Sequence, residues 1–249
     1  MKQLNNWWVL DTENDNGLAH WSPEEWQNHM AEFTVKYFLS ASDTKICLDI
    51  GGNVGQMAIG LSRYFDKVYT WEPAKPLYNC LVKNLEHFNI SNVKAYNIGL
   101  SDQETVIPYK MKFDRCGTSR FMTDKEVLVG DHKRPTKSYE FFRLPVRTLD
   151  SYGFTKLSLM KLDVEGWEAH VLRGAVKTIE TARPIIVAEW KENPISLEEI
   201  LKPLDYVTVY KRRSDYYFVP KEKLMPIMKY IFDDHPHASH HAFWKLLGI

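Results

Sequence analysis

Short apolar runs alternate with segments of helical period along the first part of the chain. Ile46–Ile50, Lys67–Trp71 and Asn92–Asn97 have the length and apolar character of strands. Between them, apolar residues at helical spacing predict helices over Val54–Phe65 and Lys75–Phe88. Strands that alternate with helices are typical of a parallel sheet, so this pattern predicts an α/β fold.

A polar stretch over residues 103–145 interrupts the alternation. Gly117, Gly130 and Pro135 favour turns, so this stretch predicts a hairpin or an extended insert. The alternation resumes with a strand at Leu157–Leu162, a helix over Trp167–Thr181 and a strand at Ile185–Ala188. Two further strands are predicted as a closing antiparallel hairpin, at Tyr206–Tyr210 and Tyr216–Val219.

The first strand leads into a glycine turn that has an acid at its start, in the order Asp49-x-Gly51-x-Asn53-x-Gly55. Gly51 and Gly55 allow backbone conformations and close approaches that a β-carbon would block. The second strand is followed by Glu72. An acid about 20 residues beyond such a turn is where a nucleoside ribose is usually bound. These features predict a nucleoside cofactor on a doubly wound sheet.

The residue order in this turn distinguishes between cofactors. A dinucleotide-binding turn has the order G-x-G-x-x-G, and the glycines here lie in a different register. An acid inside the turn would also repel a pyrophosphate. Asp49 suits a ligand that is cationic at this point, such as the amino group of S-adenosylmethionine. A methyltransferase is therefore favoured over a nicotinamide enzyme.

Composition limits the possible partners. The chain has 32 lysine and arginine residues and 32 aspartate and glutamate residues, so its net charge is zero. We therefore expect no basic surface for nucleic acid. No apolar stretch approaches the ~20 residues that span a bilayer, and the N-terminus lacks a signal peptide's apolar core. Cys47, Cys80 and Cys116 are odd in number and predict reduced thiols. We expect no nucleic-acid partner, no membrane association and a cytoplasmic location.

Four sequence blocks resemble the FkbM family of S-adenosylmethionine-dependent methyltransferases, across about residues 45–220: Leu48–Gly55, Trp71–Pro73, Asn97–Asp102 and Lys161–Glu168. The resemblance implies a class I methyltransferase fold, which is α/β and Rossmann-like. Its sheet is mostly parallel, with a C-terminal antiparallel hairpin and helices on both faces. The resemblance also implies S-adenosyl-L-methionine as the cofactor and, usually, O-methylation of small molecules or glycans.

The resemblance assigns cofactor roles to nine residues. The methionine end of the cofactor is expected at Asp49, Gly51, Asn53 and Gly55. Glu72, which precedes Pro73, is expected to accept both ribose hydroxyls, because a carboxylate can take two donors at once. The adenine ring is expected to rest at Asn97, Ile98 and Gly99.

Three carboxylates are the candidates for catalysis. Asp163 and Glu165 end the fourth strand and Glu189 ends the next, at the carboxyl edge where such sheets bind ligands. One of them is expected to accept the acceptor's proton or to hold its hydroxyl in line with the methyl group. A purely structural alternative is that Glu165 caps the helix that begins near Gly166.

The predicted reaction is methyl transfer to a hydroxyl of a sugar, a glycan or another small molecule. N- or carboxyl-methylation of another small acceptor, or a cofactor-binding relative without catalysis, are the alternatives. Arg115 and Arg120 of the insert are candidates for acceptor contacts. The tryptophans at 7, 8, 21 and 26 either line the acceptor pocket or pack against the sheet.

We predict a single domain over residues 1–249. A helix over residues 22–39 makes residues 1–40 an N-terminal helical cap. Residues 41–220 are the cofactor-binding core with the insert, and residues 221–249 are a C-terminal helical tail. The histidine-rich stretch over 233–241 has a proline-interrupted spacing, so no metal site is expected there or elsewhere. Nothing in the sequence predicts the oligomeric state.

Overall fold

The computed structural model describes residues 1–12, 28–39, 43–129, 139–190, 196–212 and 214–234. The strands are β1 (Lys2–Leu4), β2 (Trp7–Val9), β3 (Ile46–Ile50), β4 (Lys67–Trp71), β5 (Val93–Tyr96), β6 (Gly99–Leu100), β7 (Thr105–Lys112), β8 (Arg120–Phe121), β9 (Tyr139–Arg147), β10 (Leu159–Leu162), β11 (Ile185–Glu189), β12 (Tyr206–Arg212) and β13 (Asp215–Pro220). The α-helices are α1 (Asn28–Phe38), α2 (Gln56–Ser62), α3 (Lys75–His87), α4 (Asp124–Val129), α5 (Glu168–Arg173), α6 (Val176–Ala182), α7 (Leu197–Leu201) and α8 (Lys221–Asp234). No helix in these described ranges is long and apolar enough to cross a bilayer.

Seven strands form the central sheet, in the order β12-β13-β11-β10-β3-β4-β5. The strands from β11 to β5 pair in parallel, and β13 and β12 add an antiparallel hairpin at one edge. The predicted Rossmann-like fold with its C-terminal hairpin is therefore confirmed. Because β3, β4, β10 and β11 are parallel, the residues that follow them meet at one edge of the sheet.

The central strands are buried on both faces. Leu48 of β3 and Met160 of β10 belong to one hydrophobic core, which also contains side chains of α5, α6 and α7. The alternate residues Cys47 and Leu159 belong to a second core, which contains side chains of α1 and α2. Strands covered on both faces read as continuous apolar runs, which is the pattern that predicted them.

The predicted insert folds as a second, smaller sheet. β7 and β9 pair antiparallel over eight residues, from Thr105 with Val146 to Lys112 with Tyr139. β8 pairs with β7, and β6 pairs with β9, which gives the order β6-β9-β7-β8. The expected hairpin is therefore present, and its second strand extends two residues past the predicted boundary at 145, to Arg147.

The N-terminal part differs from the prediction of a helical cap over residues 1–40. β1 and β2 form an antiparallel hairpin, and α1 is the helix found in the predicted region. Asn5 and Asn6 have φ values of 47° and 69°, so they form the two-residue left-handed turn that joins such strands. Trp7 and Val9 are buried in the core, which anchors the hairpin.

The helix predicted over Trp167–Thr181 is also wrong in its continuity, because the structure divides it into α5 and α6. The break lies at Gly174. A β-carbon there would lie 1.9 Å from the backbone oxygen of Ser101, so the chain passes too close to its neighbour for any side chain. The N–H of Gly174 bonds to the backbone oxygen of His170, and α5 ends there.

Candidate active site

A cavity of about 350 Å³ lies at the carboxyl ends of β3, β4, β10 and β11. This volume is within the range of about 300–1,000 Å³ that small-molecule sites occupy. All three predicted catalytic carboxylates line it. Six of the nine predicted cofactor residues also line it, and these are Asp49, Gly51, Asn53, Glu72, Pro73 and Gly99.

The other three predicted cofactor residues, all within the described chain, lie beside the cavity rather than in its wall. Asn97 donates its side-chain amide to the backbone oxygens of Glu72 (2.9 Å) and Pro73 (3.0 Å). Gly55 donates its N–H to the oxygen of Gly52 and precedes α2, and Ile98 packs against the core. Asn97 therefore fixes the backbone that carries Glu72.

Glu72 holds the turn that follows β3. Its carboxylate accepts hydrogen bonds from the backbone N–H groups of Asn53 (2.9 Å) and Ala74 (2.8 Å), one on each oxygen. Asn53 has a φ of 47°, in the left-handed region that asparagine adopts more readily than most residues. Glu72 is 4% exposed, so these two bonds offset part of the cost of burying its carboxylate.

Two glycines let the turn approach its neighbours. A β-carbon on Gly51 would lie 1.9 Å from the backbone oxygen of Asp163, and one on Gly52 would lie 2.3 Å from Oγ1 of Thr70. Gly51 also has a φ of 101°, which favours glycine. The turn therefore packs directly on the end of β10 and brings Asp163 next to it.

Burial perturbs both acids of the predicted cofactor end. It raises the pKa of Asp49 to about 7, although the hydroxyl of Thr70, which donates to Oδ2 at 2.9 Å, lowers it. Burial also raises the pKa of Glu72 to about 8, against the lowering effect of the N–H groups of Ala74 and Asn53. A cationic ligand in this cavity would favour the charged forms of both acids.

The three predicted catalytic carboxylates converge. Asp163 and Glu165 follow β10, Glu189 ends β11, and the parallel register pairs Leu162 with Ala188 just before them. One carboxylate oxygen of each acid lies within 4.8 Å of the other two. This spacing could hold a cation, or the hydroxyl of a substrate, between the three side chains.

Lys161 is a site residue that the sequence analysis did not single out. It lines the cavity and is 2% exposed, and its Nζ lies 2.8 Å from Oδ1 of Asp215 and 3.7 Å from Oδ2 of Asp163. Burial alone would lower the pKa of Lys161, but Asp163 and Asp215 raise it above its ordinary value. The ammonium therefore stays charged and balances part of the negative charge of the carboxylates. The available signal was a lysine inside an otherwise apolar strand.

The structural alternative for Glu165 was that it caps a helix. The carboxylate that bonds to the backbone before α5 is that of Glu168, the first residue of this helix. It accepts hydrogen bonds from the N–H groups of Val164 (3.1 Å) and Gly166 (3.3 Å). Glu165 has a φ of 54°, so this turn is held in the left-handed region beside the cavity. Strained positions of this kind often belong to functional sites.

The insert closes one side of the cavity with Tyr109, Cys116 and Phe121. The ring of Phe121 fills the space in which a β-carbon on Gly99 would lie, at 2.4 Å. Sγ of Cys116 lies 3.6 Å from Oδ1 of Asn53. These contacts place the insert against the predicted cofactor residues.

Of the remaining candidates, Arg120 alone among the described residues lines the cavity. Arg115 is exposed and does not line the cavity, and Arg120, which does, donates to Glu126 at 2.9 Å. Trp7 is buried in the core, and Trp8 packs under Nζ of Lys83. The predictions for the tryptophans at 21 and 26, and for the histidine-rich stretch from 235 onward, fall outside the described residues.

This sheet order, with a glycine turn after β3, a buried acid after β4 and carboxylates after β10 and β11, defines a Rossmann-like methyltransferase. The model of the Methyltransferase FkbM domain matches residues 49–218, and the chain belongs to this family.

Two fungal proteins are similar in sequence. Methyltransferase 1 of Beauveria bassiana is 26% identical over 147 residues, which are 53% of this chain and 59% of that protein. Methyltransferase sdnD of Sordaria araneosa is 26% identical over 174 residues, which are 59% of this chain and 67% of that protein. The chain thus spans about three fifths of the Beauveria protein.

Solved structures of methyltransferases are similar at lower identity. A methyltransferase FkbM from Methylobacillus flagellatus KT is 18% identical, with a TM-score of 0.49, over 82% of this chain and 51% of that one. The putative methyltransferase yhhF from Escherichia coli is 12% identical, with a TM-score of 0.45, over 85% of this chain and 88% of that one. With TM-scores below 0.5, neither likeness bears on the substrate.

The raised pKa values predict a protein that loses stability as the pH rises. Folded Asp49 and Glu72 keep their protons up to about pH 7 and 8, whereas the unfolded chain loses them near 3.8 and 4.5. The contribution of these two acids to the free energy of unfolding is complete below about pH 4. It falls by a few kcal/mol as the pH rises through about 8. Urea denaturation between about pH 6 and 9 should show this decline.

Glu72→Gln should show a shallower decline, because one of the two groups no longer titrates. Glu86→Gln, at an exposed position of α3, is the matched control and should keep the wild-type slope. An unchanged slope in Glu72→Gln would contradict the raised pKa of Glu72.

Proposed function

We propose that the protein transfers a methyl group from S-adenosyl-L-methionine to a hydroxyl of a sugar, a glycan or another small molecule. The observation that carries this proposal is the convergence of Asp163, Glu165 and Glu189 next to the glycine turn. A hydroxyl acceptor has to be positioned and to lose a proton, and carboxylates are suited to both tasks.

The residues of the turn fit S-adenosylmethionine, which supplies a methyl group on a sulfonium centre. Each oxygen of Glu72 accepts one backbone N–H, and a carboxylate oxygen can accept a further hydrogen bond, so the side chain has capacity for two ribose hydroxyls. Asp49 offers a buried carboxylate to the amino group. Gly51 and Gly52 let the turn pack directly against Asp163 and Thr70, which places its backbone in the cavity wall.

The three carboxylates beside the turn would each have a different role toward the acceptor. Asp163 has the ammonium of Lys161 at 3.7 Å, so it is suited to orienting a hydroxyl by accepting its hydrogen bond. Glu165, in the turn after β10, is the candidate for the proton acceptor. Glu189 accepts the hydroxyl of Ser214 at 2.9 Å, which fixes the third side of the group.

A small-molecule or glycan acceptor fits a cavity of about 350 Å³ with a wall rich in carboxylates. The same carboxylates would repel the phosphates of a nucleic acid, so we do not propose a nucleic-acid substrate. Cys47, Cys80 and Cys116 are buried and form no disulfide, which supports a reducing compartment and hence the cytoplasm as the proposed location.

Methyl transfer can be tested with the cofactor labelled in its methyl group and a panel of glycosides and polyols, with mass spectrometry of the products. The proposal expects label on an oxygen of the acceptor. Label on nitrogen or on a carboxyl group, or no transfer to any hydroxylated compound, would contradict it.

Substitutions at the carboxylates should separate catalysis from cofactor binding. Glu165→Gln should lower kcat by about 10²–10⁴-fold if this acid takes the proton, while the Kd of S-adenosylhomocysteine stays near the wild-type value. Asp163→Asn should raise the KM of the acceptor as well. Glu180→Gln, at an exposed position of α6, is the control. Full activity in both variants would remove these acids from the mechanism.

We expect catalysis to proceed without a divalent metal, although the three carboxylates have a spacing that could hold one. Lys161 already supplies a positive charge at Asp163. Chelator treatment followed by dialysis should therefore leave turnover unchanged. Loss of turnover that magnesium restores would recast Asp163, Glu165 and Glu189 as metal ligands.

A further inference from the structure

Asn84 of α3 is a buried polar side chain that links two distant parts of the chain. It is fully buried, and its side-chain amide makes three hydrogen bonds. Oδ1 accepts the N–H of Trp8 (2.7 Å), and Nδ2 donates to the oxygens of Trp8 (3.0 Å) and Val54 (2.7 Å). Trp8 belongs to the N-terminal hairpin, and Val54 belongs to the glycine turn.

The bond to Val54 completes the turn. The oxygen of Val54 lies just before α2, and the side-chain amide of Asn84 donates to it at 2.7 Å. The backbone between Asn53 and Gly55 is thus held by Glu72 on one side and by Asn84 on the other.

The hairpin in turn holds Asn84. The N–H and the oxygen of Trp8 both point to its side chain, which pairs with them as a neighbouring strand would. Nζ of Lys83 lies 3.3 Å from the centre of the Trp8 ring, and Trp7 packs on Phe88 with 4.9 Å between ring centres. The hairpin is therefore packed along α3 beside the turn.

We propose that the N-terminal hairpin, over residues 2–9, is a positioning element of the cofactor site that acts through Asn84 on the oxygen of Val54. The hairpin lies outside the part of the chain that the family model matches. The inference rests on the proposed cofactor, because it concerns the turn that would bind it. Since coupling is reciprocal, a cofactor that favours this turn also stabilises the docked hairpin.

Calorimetry with S-adenosylhomocysteine tests the role of Asn84. Asn84→Ala leaves the oxygen of Val54 without its donor, and its Kd should rise by about 5- to 150-fold, the usual range of coupling between linked sites. Tyr206→Phe is the matched control, because it also removes a buried hydrogen bond (2.8 Å to the oxygen of Pro184) but lies away from the cavity. Both variants should lose thermal stability, and Tyr206→Phe alone should keep the wild-type Kd.

Amide hydrogen exchange in the unmodified protein provides a second test that does not depend on a folded variant. Saturating S-adenosylhomocysteine should slow exchange in residues 2–9 by at least about fivefold. Unchanged exchange there, or an unchanged Kd in Asn84→Ala, would overturn the positioning role while the proposed cofactor stands. If the unmodified protein binds no S-adenosylhomocysteine, the proposed cofactor is wrong and this inference falls with it.

Discussion

The shape of the site depends on the backbone turn between β3 and α2, which side chains from other elements hold in place. The chain passes there through left-handed conformations at Gly51, Asn53 and Gly55. Buried polar side chains from other elements bond to the backbone of this turn. Glu72 accepts the N–H of Asn53, and Asn84 donates to Val54. A buried polar group without a partner costs roughly 1–3 kcal/mol, so these contacts fix the turn.

The position of the turn also determines the chemistry. Because Gly51 has no side chain, the turn rests on the backbone of Asp163, and the proposed cofactor end of the cavity meets the carboxylates that follow β10 and β11. Lys161 of β10 contacts both Asp163 and Asp215 at this edge of the sheet. Proximity between a bound methyl donor and an oriented hydroxyl can supply most of the acceleration in such a reaction.

Structural features that depend on neighbouring residues in the sequence were predictable. The glycine turn, Glu72 and the carboxylates after β10 and β11 follow apolar runs, and parallel strands bring such positions to one edge. Contacts between remote segments were not predictable. In the sequence, Asn84 resembles an ordinary polar helix residue, and nothing near it predicts the contact with Trp8. Lys161 lies within an apolar strand, but the sequence does not predict which residues it contacts. The Asn5-Asn6 pair was a usable hairpin signal, but the short strands beside it gave no clear alternation.

The most direct test of this account is a crystal structure of the protein with S-adenosylhomocysteine. The account predicts both ribose hydroxyls within hydrogen-bonding distance of the Glu72 carboxylate, while the N–H groups of Asn53 and Ala74 keep their bonds to the same oxygens. The sulfur should then face the group formed by Asp163, Glu165 and Glu189. A ribose bound elsewhere, or a Glu72 side chain that leaves the turn to bind the ligand, would contradict it.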